Sequence, residues 1–158
     1  MISRLYIFLV AFVVVIIDQI SKNLVSSELM VGERVILIKN IISMTKAYNT
    51  GAAFSILQDK TPILVFFSLL VTLIISLYFI KKAVMMNYFT VIGWGLILGG
   101  TVGNLIDRAI FGYVIDFVRL DFINFPIFNI ADMSINIGAL LVIIHNFSHP
   151  AKSGKNES

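Results

Sequence analysis

The sequence predicts a mainly α membrane protein with four transmembrane helices, and three observations carry that expectation. The chain is 58% hydrophobic and only 13% charged, with a mean hydropathy of +0.95, whereas soluble domains carry about 25% charged residues. Its apolar residues gather into four stretches, each near the roughly 20 residues needed to cross about 30 Å of hydrocarbon. Its ionisable residues fall at the ends of those stretches or in short polar islands between them. At 158 residues the chain is too short for more than one such domain, so residues 1–158 are read as a single integral membrane unit.

The first span runs from about 5 to 25 and closes on Asp18-Gln-Ile-Ser-Lys22. A cleavable leader would end in small residues, so this run is read as retained. Residues 26–61 follow, with Arg34-Val-Ile-Leu-Ile-Lys39 and Ile41-Ile-Ser-Met-Thr-Lys46 as two short β-branched strands. The second span, about 62–80, opens on Pro62, whose missing N–H costs nothing in a first helical turn. Lys81 and Lys82 close it before a tight turn. The third span, about 88–106, carries Gly93, Gly95, Gly99, Gly100 and Gly103, a small-residue face suited to close helix packing. Residues 109–126 mix aromatics with charges, as an interfacial strand or loop does. The fourth span is about 127–144, and a polar tail from His149 to Ser158 follows.

Composition excludes several functions. With pI near 9.3 and net charge +3, nucleic acid would be considered for a soluble protein. Here the basic residues form no stripe, so no nucleic-acid partner is expected, and membrane lipid headgroups account for the basicity. No cysteine is present, which removes disulfides, thiolate catalysis and thiolate-held metals. The two histidines, His145 and His149, lie at the far end of the last span. Without nearby histidine or cysteine no zinc site is expected, and no metal or cofactor is assigned. A serine mechanism is poorly supported.

Helical rise places the polar islands at one depth. At about 1.5 Å per residue, Asp18 lies about 20 Å into the first span and Asn104 about 24 Å into the third, while Asp132 lies about 8 Å past the start of the antiparallel fourth. Asp18 and Lys22 share a face at i, i+4, the orientation that favours pairing. Asn104, Asp107 and Arg108 share a face, as do Asn129 and Asp132, with Asn136 continuing that stripe. Three helices thus bring polar side chains to one level on the side of the two longer loops.

Most of these residues admit structural readings. Asp18 and Lys22 read as an ion pair locking the first span. Asp107 and Arg108 read as a helix end meeting headgroups or as a network around a site. Asn104, Asn129 and Asn136 read as interhelical hydrogen-bond donors, Asn136 most of all, and Asn49 as a turn residue before Gly51. Asp116 and Asp132 resist such readings. Asp116 lies between Ile115 and Phe117, and Asp132 has no cation within one turn in sequence. A carboxylate at the edge of hydrocarbon is costly and marks a task.

The motifs Asp18-Gln-Ile-Ser-Lys22, Tyr48-Asn-Thr-Gly-Ala-Ala-Phe54, Gly103-Asn-Leu-Ile-Asp-Arg108, Val114-Ile-Asp-Phe117 and Phe125-Pro-Ile-Phe-Asn-Ile-Ala-Asp132 occur in that order. Together they strongly resemble the bacterial lipoprotein signal peptidases (signal peptidase II), over nearly the whole chain. The resemblance implies four transmembrane helices with a small extracytoplasmic β-cradle and a short extracytoplasmic helix. It implies an aspartic endopeptidase with Asp116 and Asp132 as the catalytic pair. Asn49, Gly51, Asn104, Arg108 and Asn129 become substrate-binding or site-supporting residues, and Asp18, Lys22 and Asp107 a structural polar network. The implied substrates are prolipoproteins carrying diacylglyceryl-cysteine, cut on the amino side of that cysteine by a monomer. The implied location is the bacterial cytoplasmic (inner) membrane, with cytoplasmic termini and the site near the extracytoplasmic face. Lysine and arginine counts on the two sides tie, so orientation rests on the resemblance. Met133 stands where small residues are commoner. The rival expectations are a proton- or ion-coupled transporter with these acids as relay groups and a non-catalytic scaffold.

Overall fold

A computed structural model describes residues 2–51, 57–81 and 86–148. In chain order the elements are α1 (Ile2–Glu28), β1 (Arg34–Ile38), β2 (Ile42–Asn49), α2 (Thr61–Lys81), α3 (Tyr88–Phe111), β3 (Val114–Leu120) and α4 (Ile130–Ser148). All four helices are long and apolar enough to cross a membrane, and the chain is a multi-pass membrane protein.

Helix α3 is the hub. Half of its most apolar window is buried, against 11% for α2, which is the more hydropathic of the two. The small residues explain the difference. A Cβ at Gly99 would meet the Ala11 carbonyl oxygen at 2.7 Å, and one at Gly100 would strike the Ala131 carbonyl oxygen. Glycine therefore lets α1 and α4 approach α3 on adjacent faces, gaining dispersion contacts that lipid offers to larger side chains equally well. Ile7, Ala11, Phe79 and Leu98 are buried together where α1, α2 and α3 meet. Helix α2 is tied in by Ile75 and by Phe79, whose ring meets Trp94 edge-on at 5.6 Å, and turns most of its other apolar side chains outward.

The ends of α3 obey local rules. Asn87 caps its start by accepting from the Phe89 N–H at 3.0 Å. Gly112, at φ +80°, ends it and donates its N–H to the Arg108 carbonyl, a left-handed cap that glycine adopts without strain. The chain turns at once into β3, which therefore lies over the polar end of the bundle. The sheet order is β1-β2-β3, with both pairings antiparallel. Asp116 lies opposite Ala47 and Val114 opposite Asn49, while Val118 bridges Phe128 just before α4. Each neighbour of Asp116 on β3, namely Val114, Ile115 and Phe117, is buried.

Some boundaries differ from expectation. α4 starts at Ile130, not 127, because Asn129 caps it, so Asp132 is the third helical residue, about 3 Å from the start and not about 8 Å. Helix α3 runs one turn past 106, to Phe111, and residues 109–126 supply a third strand. The short extracytoplasmic helix is not among the described elements; residues 52–56, like Lys82, His149 and the tail, lie outside the described residues.

Candidate active site

Two groups of carboxylates meet where α1, α3, α4 and β3 converge. In the first, Lys22 is 2% exposed and directs its ammonium at three acceptors: Asp18 Oδ2 at 2.8 Å, Asp107 Oδ2 at 3.0 Å and Asn104 Oδ1 at 3.0 Å. An ammonium has three protons, so all are used. Asp18 Oδ1 also accepts the Ala131 N–H at 2.9 Å, which anchors the first turn of α4 on α1. Asp107 accepts from Gln19 Nε2 at 2.9 Å and from the Ile115 N–H at 3.2 Å, which anchors β3 on α3. Asp107 is thus buried and does not meet headgroups. A Cβ at Gly103 would approach Asp18 Oδ2 to 2.6 Å, so that glycine leaves room for the cluster.

The second group has no ammonium between its acids. Asn129 joins them. Its Nδ2 donates to Asp116 Oδ1 at 2.7 Å, and its backbone N–H donates to Asp132 Oδ2 at 3.2 Å. Its Oδ1 accepts the Asp132 N–H at 2.9 Å. The exchange between Asn129 and Asp132 is a capping box, in which the cap residue and the third helical residue satisfy each other's N–H groups. Asn49 Nδ2 donates to Asp116 Oδ2 at 2.9 Å, held in that orientation because its Oδ1 accepts the Gly51 N–H at 2.9 Å. Asn104 Nδ2 donates to Asp132 Oδ1 at 2.8 Å. Each carboxylate therefore receives two N–H groups.

Exposure separates the two acids. Asp116 is 2% exposed, while Asp132 is half-buried. Burial, and then the nearby charge of Asp132, push the Asp116 carboxyl up to about 7, against the smaller opposing effect of its two asparagine donors. Asp116 and Asp132 both line a cleft of about 740 Å³, together with Asn49, Gly51, Asn104 and Arg108. Tyr48, Phe125, Phe128 and Ile135 give the same cleft an apolar wall. Arg108 Nη2 donates to the Gly51 carbonyl at 2.7 Å, tying the loop after β2 to α3.

A family model described as signal peptidase (SPase) II matches residues 10–148. The chain belongs to the signal peptidase II family. A lipoprotein signal peptidase of Nostoc punctiforme is 38% identical over 154 residues, covering 97% of this chain and 96% of that protein. One of Enterococcus faecalis is 36% identical over 151 residues, covering 94% and 93%. A bacterial membrane enzyme solved by the in meso method at 2.3 Å superposes with a TM-score of 0.85 at 32% identity, covering 96% of this chain and 93% of that one. Membership makes the chain a peptidase, and the transporter expectation finds no support.

For a signal peptidase II, the residues singled out from sequence fall in one place. Asp18, Lys22, Asn49, Gly51, Asn104, Asp107, Arg108, Asp116, Asn129 and Asp132 all lie in the two linked groups or on the cleft. Asn136 departs from expectation: it is exposed on the cleft and donates to no neighbouring helix among the described residues. Gln19 was missed. It reaches Asp107 and the Gly103 carbonyl, and no spacing rule marks a residue adjacent to Asp18 as its partner. The Asn129–Asp132 capping box was legible as an i, i+3 pattern.

Proposed function

We propose that the chain is an aspartic endopeptidase that removes signal peptides from diacylglyceryl-modified prolipoproteins, cutting on the amino side of the lipidated cysteine, with Asp116 and Asp132 as its catalytic pair. The observation that carries this reading is the joining of two carboxylates through one asparagine on a cleft, with no lysine or arginine in ion-pair contact with either acid among the described residues. Two carboxyls this closely coupled do not both ionise readily, so the pair keeps one proton to neutral pH.

The chemistry follows from that shared proton. The Asp132 carboxylate, the more exposed, takes a proton from water as the water oxygen bonds to the scissile carbonyl carbon. The Asp116 carboxyl gives its proton to the carbonyl oxygen, leaving a neutral tetrahedral intermediate. Collapse of that intermediate passes a proton to the leaving amine, breaks the C–N bond and returns one proton to the pair. Asn49, Asn104 and Asn129 hold both acids without neutralising them. Arg108 Nε is buried with no partner among the described residues, a donor suited to a substrate carbonyl. The apolar wall and the spaces between spans take the acyl chains, at about 0.8 kcal/mol per buried CH₂. In this reading residues 1–158 act as one domain, monomeric in the bacterial inner membrane, with cytoplasmic termini and the cleft near the extracytoplasmic face.

The test is cleavage by the purified protein in lipid nanodiscs, with products weighed by mass spectrometry. A diacylglyceryl prolipoprotein yields a product beginning at the lipidated cysteine, and the same peptide without lipid is cut far more slowly. Equal cleavage of both removes the lipid from the specificity, and cleavage at another bond overturns the assignment.

A further inference from the structure

The ammonium of Lys22 stands outside the chemistry just described, yet its contacts reach Asp132 by two routes. The first runs through Asn104. An amide side chain can turn either end towards a carboxylate, and only one end donates. Lys22 Nζ, 3.0 Å from Asn104 Oδ1, is donor-only and fixes that oxygen inward. Asn129 Nδ2, 3.1 Å from the same oxygen, acts in the same sense. Asn104 Nδ2 is then left to face Asp132 Oδ1 at 2.8 Å. The second route runs through Asp18, which Lys22 holds at 2.8 Å and which receives the Ala131 N–H, one residue before Asp132. A pair that merely locked α1 would need neither contact. An ion pair within one helix is complete with Asp18 alone, whereas here the third proton of the ammonium is spent on an amide whose other end meets the cleft.

We propose that Lys22 is a positioning residue for hydrolysis, acting through Asn104 to keep an N–H on Asp132. The inference rests on the aspartic reading above and adds to it a role for the buried ammonium. Loss of the ammonium leaves Asn104 Oδ1 with Asn129 Nδ2 as its one remaining donor, so the amide is held less firmly and its N–H contact on Asp132 weakens. Substrate binding, which uses the cleft walls, is untouched. The signature is a loss in kcat at nearly constant KM, and a loss shared with Asn104.

The experiment measures kcat and KM per folded molecule, in nanodiscs on a diacylglyceryl prolipoprotein, for Lys22→Met, Asn104→Ala and the double variant. Removing one preorganised donor costs about 10²-fold or more in kcat. Each single variant is expected to lose about that much, with KM within about threefold, and the double variant to lose no more than the worse single one. Losses that multiply in the double variant overturn the relay, as does a Lys22→Met protein whose kcat per folded molecule matches the wild type. Lys22→Met leaves two buried carboxylates without their cation, so folding is a risk. The variant Lys22→Met with Asp107→Asn removes one positive and one negative charge together and keeps the cluster's net charge. It is expected to show the same kcat loss, and a kcat within about threefold of wild type overturns the proposal. Asp132→Asn in the same assay separates the two levels: turnover there ends the aspartic pair itself, whereas turnover in the Lys22 variants alone ends only the positioning role.

Discussion

The two carboxylate groups of this molecule are built from the same residue type within one network, and they differ in what stands between the acids. Asp18 and Asp107 hold an ammonium, and every proton of that ammonium is satisfied. Asp116 and Asp132 hold an asparagine, which donates to both and neutralises neither. The first arrangement satisfies its ammonium fully and meets the cleft only through Asn104. In the proposed mechanism the second leaves a negative charge and a retained proton facing a cleft. A cation between carboxylates makes structure; an amide between them leaves acid and base functions available.

The largest expected effect concerns the amide-bridged group. Asp116→Asn or Asp132→Asn should lower turnover on the order of 10⁴-fold, the upper range for positioned acid/base groups, with folding intact by thermal unfolding in detergent. Near-normal cleavage by either variant breaks the comparison. The cation-bridged group should respond in stability as well as in turnover. Lys22→Ala leaves buried, uncompensated charge and should cost about 3–5 kcal/mol of stability, read as lost folded yield and a lower Tm. A smaller effect is expected at Gly103, where an added Cβ would press on Asp18 Oδ2 at 2.6 Å. Gly103→Ala should destabilise by about 1–3 kcal/mol through overpacking, measured by the same unfolding assay.

The smallest effect is a pH dependence. Folding raises the Asp116 carboxyl from 3.8 to about 7, so between those values the folded protein binds the proton that the unfolded chain has released. The stabilising contribution is complete below about 3.8 and is lost as pH rises towards about 7. The Tm of the wild type relative to Asp116→Asn should therefore decline across that window and level off above it. A difference that grows with pH would mean that Asp116 is ionised in the folded state.

Much of this was legible in the sequence because membrane solvent imposes few solutions. Four apolar runs near 20 residues leave little choice but four helices, and Arg34–Lys39 and Ile41–Lys46 are short β-branched runs bounded by polar residues, which read as strands. Depth arithmetic brought Asp18, Asn104, Asp107 and Asp132 to one level because helical rise is fixed. Rotation and partner choice were not legible. That Lys22 spans Asp18, Asp107 and Asn104 depends on how closely α1 and α3 approach, which the glycines permit but do not specify. That Asn49 binds Asp116 depends on the pairing of β2 with β3, and the third strand was hidden in a run of mixed aromatics and charges. Asn136 shares the stripe of Asn129 and Asp132, and like Asp132 it lines the cleft.

The claim that Asp116 and Asp132 share one proton is tested most directly by infrared spectroscopy of the carboxyl C=O stretch, titrated in nanodiscs with carbon-13-labelled aspartate. The wild type should show a single protonated carboxyl that titrates near pH 7, absent from Asp116→Asn. A protonated band that persists unchanged in Asp116→Asn, or two carboxylates fully ionised at pH 5, would contradict the account.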